Sequence, residues 1–276
     1  MSGFSIDWLD LREPADRRAR DERLRARAAG WLQEIQPPTK ERIVVDLGAG
    51  TGATLRALIE LQGNQPEAPI WRLVDQDEEL LAAARRRHGD SHRLELCPAD
   101  LALTAALPLD NVSLITASAL FDLVSEQFLS EFIAELQSRR RQQRFAVYAA
   151  LNYDGTTLWS RDHGMDAAVL EAFNRDQHRD KGFGPALGPE AGACMQQLLS
   201  QAGFAVEVAS SPWLLHGDDE NDARLMQALI EGIASAVAAD TELDPTALAD
   251  WKEFRQKNVI ACSCEVGHSD LLALPE

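Results

Sequence analysis

The sequence predicts an α/β chain built on a doubly wound, mostly parallel sheet. Two observations predict it. Between residues 42 and 151 short apolar runs alternate with stretches of helical spacing, the rhythm of strands joined by right-handed crossover helices. The first of those runs, 42–46, empties into a glycine-rich turn at 48–52, the place where such a sheet opens a ligand crevice.

Each element has its own signal. Leu24, Ala28, Trp31, Leu32 and Ile35 recur at helical spacing, so residues 1–38 form an N-terminal helical extension that Pro37-Pro38 stops. Strands are expected at 42–46, 70–74, 94–97, 112–117 and 145–151, with helices at 53–61, 78–87 and 127–139 between them. The alternation then breaks. Residues 153–188 are polar, aromatic and rich in Gly and Pro, without a long periodic segment. A long aperiodic stretch of this kind is expected to be a lid. Helix at 189–201 and strand at 204–208 resume the rhythm. A helical insertion at 218–258 comes next, marked by Leu225, Met226, Leu229, Ile230, Ile233 and Val237. Two strands at 259–266 and 268–274 close one domain spanning 1–276, whose cofactor-binding half is 40–152.

Composition narrows the function classes. The 276 residues are 45% hydrophobic and 26% charged, a globular balance. No apolar run approaches a membrane span, and MSGFSIDWLD lacks the layout of a signal peptide. The net charge of −17 repels phosphate backbones, so neither nucleic acid nor membrane is an expected partner. The arginines of 17–27 and of 139–141 are interspersed with acids or cap a helix end, and read as solvated faces. Cys97, Cys194, Cys262 and Cys264 read as reduced cytoplasmic thiols. Cys262 and Cys264 alternate onto one strand face, where they serve core packing rather than a metal.

The informative stretch is Asp46-Leu47-Gly48-Ala49-Gly50-Thr51-Gly52. Alternate glycines let the backbone turn sharply and approach a ligand. Gly48-x-Gly50-x-x-Ala53 also fits a dinucleotide fingerprint. Against that stand an acid at Asp46, two residues before the first glycine, and the third glycine at Gly52. The stretch resembles the first motif of the class I S-adenosylmethionine-dependent methyltransferases, D/E-x-G-x-G-x-G. The resemblance continues at Val74-Asp75-Gln76-Asp77 and at Pro98-Ala99-Asp100-Leu101, and covers residues 42–152. It implies a Rossmann-like fold and S-adenosyl-L-methionine as cofactor. It further implies that Asp75 meets the ribose hydroxyls, that Asp100 and Leu101 meet the adenine, and that Asp46 orients the turn or meets the ammonium end; Gly48, Ala49, Gly50, Gly52, Gln76 and Ser118 complete the expected cofactor-binding set. Asp77 reads as a helix cap.

The methyl acceptor belongs beyond the strand ends, near 116–122 and 152–154. Asp122, Asn152, Tyr153, Asn174 and Lys181 are the expected acceptor-binding residues, with His163, His178 and Asp154 the candidates for a base. The amino-methylating enzymes carry an [N/D]-P-P-[Y/F/W] box; Thr116-Ala117-Ser118-Ala119 stands here instead. The expectation is therefore methyl transfer to oxygen or nitrogen of a small molecule, with no metal, and with monomer and homodimer both open. A cofactor-binding regulator of the same fold is the alternative.

Overall fold

The structure is a computed structural model that describes residues 4–36, 41–61 and 68–276. Pro37-Pro38, expected to stop the N-terminal helical extension, lie outside the described residues. The N-terminal extension consists of two helices, α1 (Ile6–Ala19) and α2 (Glu22–Glu34), capped by Ser5 and Asp21. The alternating half comprises β1 (Ile43–Leu47), α3 (Ala53–Ile59), β2 (Ile70–Asp75), α4 (Glu78–His88) and β3 (Arg93–Pro98). It continues with β4 (Leu114–Ser118), α5 (Glu126–Arg139) and β5 (Ala146–Trp159). The remainder comprises α6 (Asp166–Gln177), α7 (Ala191–Gln201), β6 (Phe204–Ser210), β7 (Trp213–His216), α8 (Glu220–Val237), α9 (Pro245–Asn258) and β8 (Ser263–Pro275).

The sheet order is β3-β2-β1-β4-β5-β8-β6, with β7 paired to β8. β1 to β5 pair in parallel, and β8 runs antiparallel to β5, β6 and β7. The doubly wound, mostly parallel sheet is thus present. Parallel strands are covered on both faces, and successive residues of β1 divide accordingly. Val45 packs with Ile115, Phe132 and Val147 on one face, while Val44 packs with Leu24, Trp71 and Tyr148 on the other.

Three features depart from the expectation. First, β5 does not end near Leu151 but runs on to Trp159, and beyond it lies helix α6, so much of 153–188 is regular structure. The cause is a kink: Leu151 has φ 57, and the β5–β8 register shifts between Ala149 and Asn152. Past the kink the strand buries one face only, so the continuous apolar run expected of a parallel strand gives way to alternation. Second, the two expected C-terminal strands are a single β8, preceded by a short 3-10 turn at Val259–Ala261. Third, the short strand β7 is an addition to the expected set. The extended β5, β7 and β8, with α6, α8 and α9, enclose a separate core around Trp213, Met226, Ile230 and Trp251. Cys262 and Cys264 are buried in it.

One buried carboxylate holds the kink. Asp270 on β8 is fully buried and accepts from the amide of Leu151 (2.9 Å), the hydroxyl of Tyr148 (3.0 Å) and the amide of Asp21 (3.0 Å). The adjacent Arg20 guanidinium, also buried, balances its charge. Removing a partner from such a knot leaves several groups desolvated and unpaired. Asp270→Ala is therefore expected to lose about 3–5 kcal/mol in urea unfolding; a loss under about 1 kcal/mol contradicts this role.

Candidate functional site

At the C-terminal ends of β1, β2 and β4 lies a cavity of about 460 Å³, within the range of small-molecule and cofactor sites. Its floor is the glycine turn, contributing Gly48, Ala49, Gly50 and Thr51. One side carries Asp75, Gln76, Leu80 and Leu101, and the opposite side Ser118, Ala119, Leu120 and Leu123. Its roof comes from α1 and the segment before it: Phe4, Leu9, Arg12 and Asp16. Lys181 and Phe183 close the rim.

The turn holds its shape through backbone chemistry. Gly48 and Gly50 have φ 64 and 51, the left-handed region that disfavours a side chain. A Cβ on Gly50 would stand 3.2 Å from Leu9 of α1, so the roof rests on bare backbone. Asp75 accepts from the amide of Gly50 (2.8 Å) with one carboxylate oxygen and from that of Asp77 (3.0 Å) with the other. Burial raises its pKa, and those two amides oppose the rise. Each oxygen keeps a further lone pair for a ligand hydroxyl.

Beneath the turn Asp46 is 1% exposed. Its Oδ1 accepts from Thr116 Oγ1 at 2.7 Å, while its Oδ2 has no hydrogen-bond partner. Desolvation pushes its pKa up to about 6, against the opposing pull of Thr116, Arg20 and Thr54. An under-satisfied buried carboxylate is costly to the fold.

α1 spans two parts of the molecule. Glu13 pairs with Arg56 of α3, and Asp10 receives both Arg87 amino groups of α4 at 2.7 and 2.8 Å. On the other side Asn221 donates to the Leu11 carbonyl (3.2 Å) and Trp213 Nε1 to Asp16 (2.9 Å). Arg12 grips Asp16 with two bonds of 2.9 and 3.1 Å and lies over the Trp213 ring. The cover of the cavity is thus chiefly this helix, whereas 153–188 contributes only Lys181 and Phe183 to the lining.

Of the expected cofactor residues, Gly48, Ala49, Gly50, Asp75, Gln76, Leu101 and Ser118 line the cavity. Asp46 lies under it. Gly52 caps α3 beside His88, and Asp100 accepts from the Ala102 amide at 3.0 Å; neither is in the lining. Asp77 caps α4 as expected, accepting from Glu79 and Leu80.

The expected acceptor and base residues are not brought together. Lys181 reaches the rim, paired with Asp176 at 3.0 Å. Asp122 sits in sequence between cavity-lining Leu120 and Leu123; it is half-buried, with Oδ1 unpartnered and its pKa raised by desolvation to about 6. Asn152 donates to the Ser269 carbonyl (3.0 Å), and Tyr153 donates to Asn174 (3.0 Å), which itself donates to the Gly155 carbonyl (2.9 Å). These bonds fasten the β5 extension to β8 and α6. His163 accepts from the Met165 amide (3.2 Å) and packs on Phe254. His178 lies by Glu190 in another depression, with Ser125 and Gly184. Asp154 is exposed and accepts from both amide and hydroxyl of Thr156. None of these three lines the cavity.

Sequence reasoning missed the contribution of α1. Arg12 and Asp16 are spaced i, i+4, the only local sign of their pairing. Among the described residues no cluster of three or more His, Cys, Asp or Glu is placed to hold a metal, and no helix is long and apolar enough to cross a membrane.

Asp46 gives a signed pH prediction. Its carboxyl ionises near pH 6 in the fold against an ordinary 3.8, so the unfolded chain ionises first. The stability present below pH 3.8 is lost as pH rises through 6. Asp46→Asn keeps an acceptor for Thr116 and removes the buried charge. Without ligand it is expected to be more stable than the parent at about pH 7.5, by on the order of 2–3 kcal/mol, with the difference vanishing near pH 4. Urea unfolding across that range checks it; a variant less stable at both values contradicts it.

No family model matches the chain, and no curated protein matches it. Solved structures do. A cyclopropane synthase from Mycobacterium tuberculosis is 13% identical over 90% of this chain and 82% of its own, with a TM-score of 0.49. An O-methyltransferase family protein from Burkholderia thailandensis is 14% identical, covering 73% of this chain and 56% of its own, with a TM-score of 0.46. Magnesium protoporphyrin IX methyltransferase from Synechocystis, with bound SAH, is 14% identical over 76% of this chain and 83% of its own, at 0.46. At these identities the site of this chain rests on its own side chains.

Proposed function

We propose that this chain transfers a methyl group from S-adenosylmethionine to a small molecule held beside Leu120, Leu123 and Phe183. The observation that carries the reading is Asp75 sharing one cavity with the Gly48–Thr51 turn, with an under-satisfied Asp46 beneath that turn. The fit is chemical. Asp75 keeps lone pairs for a ribose diol, and Leu80, Gln76 and Leu101 form a mostly apolar slot for a flat base. Asp46 offers an anion beneath the turn for an ammonium group. Bound there, the cofactor supplies an activated methyl group on a sulfonium.

The chain's own work is placement. Ser118, Ala119 and Leu120 form the wall against which the acceptor lies, and Ala119 adopts φ 50, which turns the chain sharply at the end of β4. α1 excludes water from the space. Orientation of this kind accounts for about 7–11 kcal/mol of barrier lowering in favourable cases. Where the acceptor carries a proton, we assign its removal to Asp122, whose half-buried carboxyl has its pKa raised to about 6 by desolvation and whose Oδ1 has no hydrogen-bond partner. Asp122 is not itself in the lining; it is preferred to His163, His178 and Asp154 because Leu120 and Leu123 on either side of it line the cavity. All four cysteines are unpaired, which agrees with work in the reducing cytoplasm.

Calorimetric titration with S-adenosylhomocysteine tests the proposal. The parent protein is expected to bind it, and Asp75→Ala to bind it about ten- to a hundredfold more weakly. Absence of binding by the parent protein contradicts the reading.

A further inference from the structure

The lining of the cavity is unevenly charged. Asp75, Asp77, Glu78 and Glu79 all lie between the end of β2 and the first turn of α4, the side proposed to hold the cofactor. Among the described residues the cations of the lining are Arg12 and Lys181, which belong to other elements.

Each cation is held by a carboxylate yet keeps a donor in reserve. Arg12 gives Nε and Nη2 to Asp16 and lies over the Trp213 ring, which fixes the plane of the guanidinium. Asp16 also accepts from Trp213 Nε1 at 2.9 Å, so this carboxylate is fully engaged. Arg12 Nη1 makes no hydrogen bond among the described residues. Lys181 Nζ spends one of its three hydrogens on Asp176. The turn that carries Lys181 is braced: Asp180 accepts from the amides of Gly182 (2.7 Å) and Gly184 (3.0 Å). Two residues on, Phe183 stands on the same rim and packs edge-on against Phe128 at 5.1 Å.

Arg12 is also close to the wall proposed for the acceptor. Burial raises the pKa of Asp122 and the Arg12 charge opposes the rise, which sets the guanidinium near the Leu120–Leu123 segment. The end of the cavity away from the β2–α4 acids therefore combines two positive charges with the apolar side chains of Leu120, Leu123 and Phe183.

We infer that the methyl acceptor is an organic acid, its carboxylate taken between Arg12 Nη1 and Lys181 Nζ and its apolar body laid on Leu120, Leu123 and Phe183. The inference rests on the methyl-transfer reading and deepens it by naming the class of acceptor. Arg12 and Lys181 are then specificity-determining residues. The carboxylate is the handle, and the oxygen or nitrogen that receives the methyl group is another atom of the same molecule. A neutral amide of the same shape keeps the apolar contacts and loses the charge-assisted ones.

The test loads the protein with S-adenosylhomocysteine and titrates it, by NMR, with phenylacetate, cinnamate and hexanoate, each beside its neutral amide. The loaded parent protein is expected to bind the acids about tenfold or more tightly than the amides. Arg12→Gln and Lys181→Met are each expected to cut that preference by weakening the acids alone, and Lys181→Arg to keep it. Acids bound no better than amides by the parent overturn the inference and leave the cofactor site standing, as does a preference unchanged in both variants. If the parent protein does not bind S-adenosylhomocysteine, the methyl-transfer reading falls and this inference with it. Arg12→Gln strips Asp16 of a partner, whereas Asp176 keeps Arg179 at 3.1 Å when Lys181 is replaced. Lys181→Met therefore decides should the first variant fail to fold, as circular dichroism would reveal.

Discussion

The buried carboxylate of Asp270 is the constraint that fixes the arrangement. It is a single side chain on β8, yet it holds the kink in β5 at Leu151, the hydroxyl of Tyr148 and the first amide before α2. The kink sends β5 out of the parallel sheet to build a second core with β7, α8 and α9. The bond to Asp21 fixes where α1 ends and therefore where its side chains hang. Without that knot the parallel half retains its glycine turn but loses the fixed position of its roof.

The roof then links the two cores. Glu13 and Asp10 reach α3 and α4, and Asp16 and the Leu11 carbonyl reach β7 and α8. Surface ion pairs of this kind are individually weak. Glu13 with Arg56 is only partly exposed, and Asp16 is almost fully buried between Arg12 and Trp213, so the contacts that matter most lie nearest the cavity. The site consequently joins two parts: a glycine turn locked by Asp75, and a helix that rests on it through Leu9.

Legibility in the sequence tracks locality. The glycine turn and the Asp77 cap are set by neighbours within a few residues, and Asp75 follows the turn by one strand–helix–strand step, so spacing alone places them. The alternation of short apolar runs with helical stretches reveals the parallel half for the same reason. The kinked end of β5 is not legible, because its inward residues, Tyr153, Thr157 and Trp159, alternate with Asp154, Thr156 and the exposed Leu158, a pattern the parallel half does not use. α6 is obscured by a narrow apolar stripe, Val169, Ala172 and Phe173. Arg20 is hidden among other arginines. Arg17, Arg18 and Arg23 are more than half exposed, as expected for a solvated face. Arg20 instead is buried at the junction of α1 and α2, outside either helix, so no helical periodicity singles it out. His163 and His178 have the right chemistry for a base, and only tertiary structure reveals that they flank α6, away from the strand ends.

One ligand, an adenosine thioether, is proposed to occupy the space between the glycine turn and α1. Hydrogen exchange with and without S-adenosylhomocysteine tests that occupancy in the unaltered protein. Slowed exchange is expected at the Gly48–Thr54 turn, the Asp75–Asp77 loop and α1 alone, with the amides of α8 and α9 unchanged. Protection centred on the 178–190 depression, or none at the glycine turn, would contradict it.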